Sequence, residues 1–133
     1  MNNEYNQLGE LPSNQHLKEL ANSSEFFTIN QLKSGYGKME IIHGLDLFVD
    51  KKQSLCLIGP NGAGKSTVLH SIFGFTNIYE GKIYIEGKDI TKLSSAQKLK
   101  NSGIAYIMQE NSIFPDMTVE ENLLMRAYLL DNN

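Results

Sequence analysis

The sequence contains little cysteine, no long apolar run and no excess of positive charge. Its 133 residues include one cysteine, Cys56, so an internal disulfide is excluded. Because Cys56 lies in an apolar run, we expect a buried structural thiol. Twelve basic and fifteen acidic side chains give a formal net charge of -3, which argues against a nucleic-acid partner. No apolar run approaches the ~20 residues of a membrane helix, so we expect a soluble chain.

The residue composition divides the chain into two segments. Residues 1–24 are rich in Asn, Gln and Ser, and we predict a polar leader that is disordered or weakly helical. Residues 25–133 carry short apolar runs broken by glycine and form the predicted domain. The first runs predict strands at residues 26–29, 39–42, 45–49 and 55–58.

The run at residues 55–58 is apolar without alternation, which is typical of a strand covered on both faces in a parallel sheet. After a glycine-rich loop, apolar residues recur at helical spacing from Val68 to Phe73, and Gly74 marks the end of that helix. The predicted order is strand, glycine loop, helix. Further patterns predict a strand at residues 82–86, a helix from Ser94 to about Asn101, a strand at residues 104–108 and a helix opened by Thr118 and Glu121.

The glycine-rich loop carries the strongest chemical signal in the sequence. It fits the pattern G-x-x-x-x-G-K-[ST] with Gly59, Pro60, Asn61, Gly62, Ala63, Gly64, Lys65, Ser66 and Thr67. Small residues let backbone N–H groups surround a phosphate, and the following helix directs its positive end at the same place. Lys65 would reach the outer phosphates, Ser66 a Mg²⁺ ion and Thr67 an inner phosphate. The alternative is a glycine turn before a helix with a surface lysine.

This loop and the order of the surrounding elements resemble the ATP-binding-cassette (ABC) ATPases from about residue 26 to residue 130. The resemblance implies an α/β P-loop NTPase fold with an N-terminal antiparallel β region. It also implies that Tyr36 stacks on adenine and that Gln109 approaches Mg²⁺, with ATP and Mg²⁺ as cofactors. The alternatives are a tyrosine in a glycine turn and a solvent-exposed glutamine.

The stretch at residues 113–124 resembles the ATPases of branched-chain amino acid importers in particular. That resemblance implies transmembrane permease subunits and a second ATP-binding subunit as partners, and a cytoplasmic, peripheral location on the inner face of the cell membrane. Apolar residues such as Leu124, Met125 and Leu129 would dock on the permease. Packing against further residues of the same domain is the alternative.

Members of the resembled family continue with a signature loop, a strand ending in an acidic Mg²⁺ ligand, a catalytic glutamate and a switch histidine. None of these follows Gln109, so we assign no catalytic residue and expect a C-terminally truncated domain. Such a chain would hold nucleotide and hydrolyse very little. Two other functions remain open: a different P-loop NTPase, although no guanine-reading Asn-Lys-x-Asp motif is present, and a non-catalytic nucleotide-binding or interaction module.

Overall fold

The computed structural model describes residues 26–109 and 113–127, together with Ser13 and Gln15. The predicted leader therefore lies almost entirely outside the described residues. Within the described part, no helix combines the length and hydrophobicity needed to cross a bilayer. The strands are β1 (Phe27–Tyr36), β2 (Met39–Val49), β3 (Asn77–Ile85) and β4 (Lys88–Asp89), and the helices are α1 (Lys65–Phe73), α2 (Ser95–Ser102) and α3 (Val119–Ala127).

The four strands form one antiparallel sheet in the order β2-β1-β3-β4. The central strand β1 pairs Ile29 with Leu47 on one side and with Ile83 on the other. Ile29, Ile83 and Leu32 are fully buried and form the core with Ile90. The predicted N-terminal antiparallel β region is confirmed.

A bulge in β1 bends the sheet at Gln31. Its φ is 47°, and the pairing register with β3 shifts between Asn30 and Lys33. The Asp46 carboxylate accepts hydrogen bonds from the Gln31 backbone N–H, at 2.7 Å, and from its side-chain amide. Gly81 lies opposite with φ 88°, and a Cβ there would come within 2.4 Å of the Gln31 carbonyl oxygen. The bulge therefore requires glycine at position 81.

Helix α1 is held on the sheet and on α2 by buried polar contacts. The Ser34 hydroxyl of β1 lies 2.7 Å from the Ser71 hydroxyl, which donates to the Thr67 carbonyl oxygen at 2.7 Å. Lys98 of α2 is fully buried, and its ammonium group donates to the Ile72 carbonyl oxygen at 2.8 Å, at the negative end of α1. Burial lowers the pKa of the Lys98 ammonium group. These contacts fix the helix that follows the glycine loop.

The predicted helix boundaries are confirmed where the structure describes them. Ser94 caps α2 through a reciprocal capping box with Gln97, and Gly103 ends that helix in the left-handed region. Thr118 and Glu121 make the expected reciprocal bonds at the start of α3: the Thr118 N–H donates to the Glu121 carboxylate at 2.7 Å, and the Glu121 N–H donates to the Thr118 hydroxyl at 3.2 Å. The predicted continuation of α3 to residue 130 lies outside the described residues.

Two predicted strands are wrong. Residues 55–58 and 104–108 have no regular secondary structure, although both contain apolar runs. A strand exists through hydrogen bonds to a neighbour, and no strand of the described part pairs with either run. The expected burial of Cys56 is also wrong, since this thiol is exposed. Leu55 is 54% exposed and Ile58 is 91% exposed, so the run is not covered on both faces.

Candidate functional site: a phosphate loop

The glycine loop opens onto a cavity of about 520 Å³. Its walls come from the loop, from the first turn of α1, from β2 and from Gln109, which directly follows the 104–108 run. The lining residues are Ile41, Asn61, Gly62, Gly64, Lys65, Ser66, Thr67 and Gln109. Gln109, which is far from the loop in sequence, is thus brought to the same cavity.

The first turn of α1 presents unsatisfied backbone donors to this cavity. Gly64 is the N-cap, with φ 88° and no side chain to cap the helix, and no acidic residue lies in the first turn. The N-terminal N–H groups of the helix therefore keep their positive partial charge for an external acceptor. A Cβ on Gly64 would also lie 3.0 Å from the Ile42 Cδ1 atom. The cradle fits an anionic phosphate, and the positive φ of Gly64 favours glycine at this position.

The Lys65 ammonium group is held inside its own loop. It donates to the carbonyl oxygens of Gly59, at 2.9 Å, and Pro60, at 2.7 Å. The Ala63 N–H donates to the same Pro60 oxygen at 3.2 Å, which closes the turn. In residues 26–109 and 113–127, no carboxylate pairs with Lys65. Within this described part, the positive charge of Lys65 is therefore uncompensated and adds to that of the helix end.

Ser66 and Gln109 bring neutral side-chain oxygen atoms to the cavity, as do Asn61 and Thr67. The side chains of Ser66 and Gln109 are exposed, and among the residues that the structure describes no Asp or Glu lines the cavity. Across the described residues, no cluster of three His, Cys, Asp or Glu residues could hold a metal ion unaided. Mg²⁺ commonly takes one or two protein ligands and completes its octahedron with phosphate oxygens and water. The residues therefore fit Mg²⁺ as a companion of a bound polyphosphate.

Tyr36 does not line the phosphate cavity. It ends β1, is 42% exposed, and its hydroxyl lies 2.5 Å from the His70 Nδ1 atom on α1. His70 lines a second cavity of about 440 Å³ with Ser66, Phe75, Tyr106, Met108 and Gln109. The two cavities share Ser66 and Gln109, so Tyr36 is linked to the phosphate site through His70.

Sequence reasoning did not single out Ile41, His70 or Tyr106 as site residues. One signal for His70 was available: it follows Ser66 by four positions in a helix, which places both on one face. No comparable local signal marks Tyr106, whose hydroxyl lies 3.0 Å from the His70 Nε2 atom. That contact depends on how residues 104–108 lie relative to α1 in the tertiary structure.

Comparison with known families agrees with this geometry. Residues 42–133 match the family model described as ABC transporter. The chain belongs to the ABC transporter family. This membership confirms the resemblance that the loop and the order of the surrounding elements indicated.

Known ABC proteins with similar sequences and structures include ATP-binding proteins of several transporters. The chain is 40% identical over 101 residues to a probable branched-chain amino acid transport ATP-binding protein, LivF, of Archaeoglobus fulgidus, covering 76% of the chain and 42% of that protein. It is 33% identical to the Fe(3+) ions import ATP-binding protein FbpC 1 of Haemophilus influenzae, covering 76% of the chain and 30% of that protein. A crystal structure of the ADP conformation of an ATP-binding cassette matches with a TM-score of 0.69 and 34% identity, over 82% of the chain and 42% of that chain.

These matches confirm an ABC-type P-loop NTPase fold and a similarity to branched-chain amino acid transport ATP-binding proteins. The chain spans less than half the length of these relatives. ABC ATP-binding proteins of other importers are also similar to it.

Proposed function

We propose that this chain is the ATP-binding component of an ABC importer and binds Mg-ATP at residues 59–67 with Tyr36 and Gln109. One observation carries the proposal: the uncapped positive end of α1, the positive charge of Lys65 and the side chains of Ser66 and Gln109 converge on one cavity. Each of these groups favours a polyphosphate with its cation. On this proposal, residues 25–133 are the N-terminal part of the nucleotide-binding domain.

Different residues of the cavity would bind different parts of the nucleotide and its Mg²⁺ ion. The N–H groups of the loop and of the first turn of α1 would bind the inner phosphates, beside Thr67. Lys65 would exchange its two carbonyl acceptors for the more strongly attracting outer phosphate oxygens. The Ser66 hydroxyl and the Gln109 amide oxygen would hold Mg²⁺, which supplies charge neutralisation to the phosphates when bound.

We further propose branched-chain amino acid import as the transport process, because the LivF relative is named for branched-chain amino acid transport. The partners would be transmembrane permease subunits and a second ATP-binding subunit, at the inner face of the cell membrane. Exposed apolar residues around α3 support a docking role. Val119 is 79% exposed, Ile113 66% and Leu123 63%.

Hydrolysis by this chain alone should be very slow. Within residues 26–109 and 113–127, no carboxylate lines the cavity that could hold Mg²⁺ directly or orient the attacking water. The same observation favours a second candidate, a nucleotide-binding module without catalysis. ATP binding with no turnover in the presence of the permease and a full-length ATPase partner would favour this second candidate.

Lys65→Ala tests the site directly. A hydrogen-bonded charge contributes about 1.5 to 3 kcal/mol, so this variant should bind Mg-ATP roughly ten to a hundred times more weakly. Lys92→Ala is the matched control, because Lys92 is exposed and lies outside the cavity lining. Calorimetric titration gives both affinities, and circular dichroism checks that the fold is unchanged. Equal ATP affinity in the wild type and in Lys65→Ala would refute the assignment.

A further inference from the structure

Tyr36, which we propose stacks on adenine, is connected by its hydroxyl to the helix that follows the phosphate loop. Its oxygen lies 2.5 Å from the His70 Nδ1 atom, and the other ring nitrogen of His70 lies 3.0 Å from the Tyr106 hydroxyl. A neutral imidazole donates from one nitrogen and accepts at the other, so one tyrosine donates to His70 and the other accepts from it. His70 thus bridges β1 and the run that ends at Gln109.

This bridge leaves the faces of the Tyr36 ring uncovered by His70. The two rings meet at an interplanar angle of 80° with centroids 6.1 Å apart, and the contact runs through the phenol hydroxyl. Tyr36 is 42% exposed, so a base can approach this residue from solvent. The bridge therefore restricts the orientation of the ring without competing for its stacking surface.

The backbone beside Tyr36 is fixed separately. The Gly37 carbonyl oxygen accepts from the Tyr79 hydroxyl at 3.0 Å and from the Asn77 side-chain amide at 3.4 Å. With the backbone held, the remaining freedom of Tyr36 is rotation of its side chain. The hydrogen bond to His70 removes that rotation.

The position of His70 is itself constrained by its neighbours. Phe75 and Tyr106 pack against its ring at centroid distances of 5.7 and 5.5 Å. Its carbonyl oxygen accepts the capping N–H groups of Gly74 and Phe75 at the end of α1, both at 2.8 Å. Both the ring and the backbone of His70 are therefore constrained before any ligand binds.

We infer that His70 is a positioning residue that holds the Tyr36 ring ready to stack on the base of a bound nucleotide. The inference rests on the proposed function, since it assumes that nucleotide binds with its phosphates in the glycine loop. Ordering a free side chain on binding costs affinity, and a ring held in advance avoids that cost. The effect should appear with a ligand that carries a base and be absent with inorganic triphosphate.

His70→Phe and Tyr36→Phe each remove the hydrogen bond and keep an aromatic ring. Each should weaken Mg-ATP binding about twofold to tenfold and leave magnesium triphosphate binding unchanged. The double variant should bind ATP no more weakly than His70→Phe alone, because Tyr36→Phe removes a contact that His70→Phe has already removed. His70→Asn, whose amide reproduces the position of the Nδ1 atom, should restore most of the ATP affinity.

Calorimetric titration of the full chain with both ligands separates the outcomes. Unchanged ATP affinity in both single variants overturns the inference, and so does an equal loss for ATP and triphosphate, which would mean a general structural role. If the wild type binds neither ligand, the proposed function fails and the inference fails with it. If the wild type binds both and the variants keep its ratio of affinities, only the inference fails.

Discussion

The antiparallel sheet and the two apolar runs at residues 55–58 and 104–108 all contain apolar residues but differ in structure. In the sheet, Ile29 and Ile83 are paired and fully buried. In the runs, Ile58 is 91% exposed and Ile107 is 74% exposed, and neither run is a strand. An apolar cavity of about 260 Å³ lies where the sheet and α1 meet residues such as Leu55 and Ile104. Burial is therefore greater in the centre of the sheet than in the two runs.

The difference shows that apolar sequence alone does not make a strand. Strands β1 and β2 are joined by a short turn, and β3 returns to pair with β1, so each finds its partner within residues 27–85. The runs at residues 55–58 and 104–108 lack the alternation of a half-buried strand, and such runs need cover on both faces. The described part of the chain supplies no such cover. Three pairs of variants test this difference.

The largest effect is expected from Ile83→Ala, which leaves a cavity in the core of the sheet. Loss of a fully buried isoleucine should lower the free energy of unfolding by about 2 to 5 kcal/mol. Ile107→Ala, at a 74% exposed position in the 104–108 run, should change it by less than about 0.5 kcal/mol. Urea unfolding followed by circular dichroism measures both. Equal losses would show that Ile107 is as well packed as Ile83.

An intermediate effect is expected from Gly81→Ala, opposite the bulge at Gln31. The added Cβ would lie 2.4 Å from a backbone oxygen at a φ of 88°. The variant should be destabilised by about 2 to 4 kcal/mol, from backbone strain and overpacking together.

Gly87→Ala is the matched control for Gly81→Ala. It has φ 76° with nothing within 4 Å of the added Cβ. It should therefore cost only the strain, about 1 to 2 kcal/mol. Thermal unfolding separates the two, and identical melting temperatures would count against the close approach at the bulge.

The smallest effect is expected at the sheet edge, from Asp89→Asn. The hydrogen bond from the Lys82 ammonium group, at 2.6 Å, and those from Thr91 lower the pKa of the Asp89 carboxyl from 3.8 to about 2. A carboxyl with a lowered pKa stabilises the fold above its unfolded pKa, and this stability is lost as pH falls towards 2. Because the pair is partly exposed, the loss in the variant at pH 7 should be about 0.5 to 1 kcal/mol.

The pH dependence distinguishes this contribution from a general loss of packing. The difference between the wild type and Asp89→Asn should shrink as the pH falls from about 4 to 2, in urea titrations at each pH. Asp116→Asn is the control, because Asp116 is an exposed carboxylate in the segment that precedes α3 in the chain. A difference between the wild type and Asp89→Asn that stays constant with pH would contradict the ion pair as its source.

Much of the site could be predicted because its signals are local. The loop from Gly59 to Thr67 is contiguous, and its glycines and the helix start at Lys65 follow from neighbouring residues. The capping residues Ser94 and Thr118 were predictable for the same reason, since each bonds to a residue three positions away. The predicted burial of Cys56 failed because burial depends on partners that lie elsewhere in the chain.

The sequence by itself determined the phosphate loop, the helix caps and the family, since each depends on residues close together along the chain. Only the tertiary structure decided that Tyr36, His70 and Tyr106 are hydrogen-bonded, because these contacts join residues 34 and 36 positions apart. It likewise decided which apolar runs are buried: a run becomes a strand only when another strand satisfies its backbone hydrogen bonds.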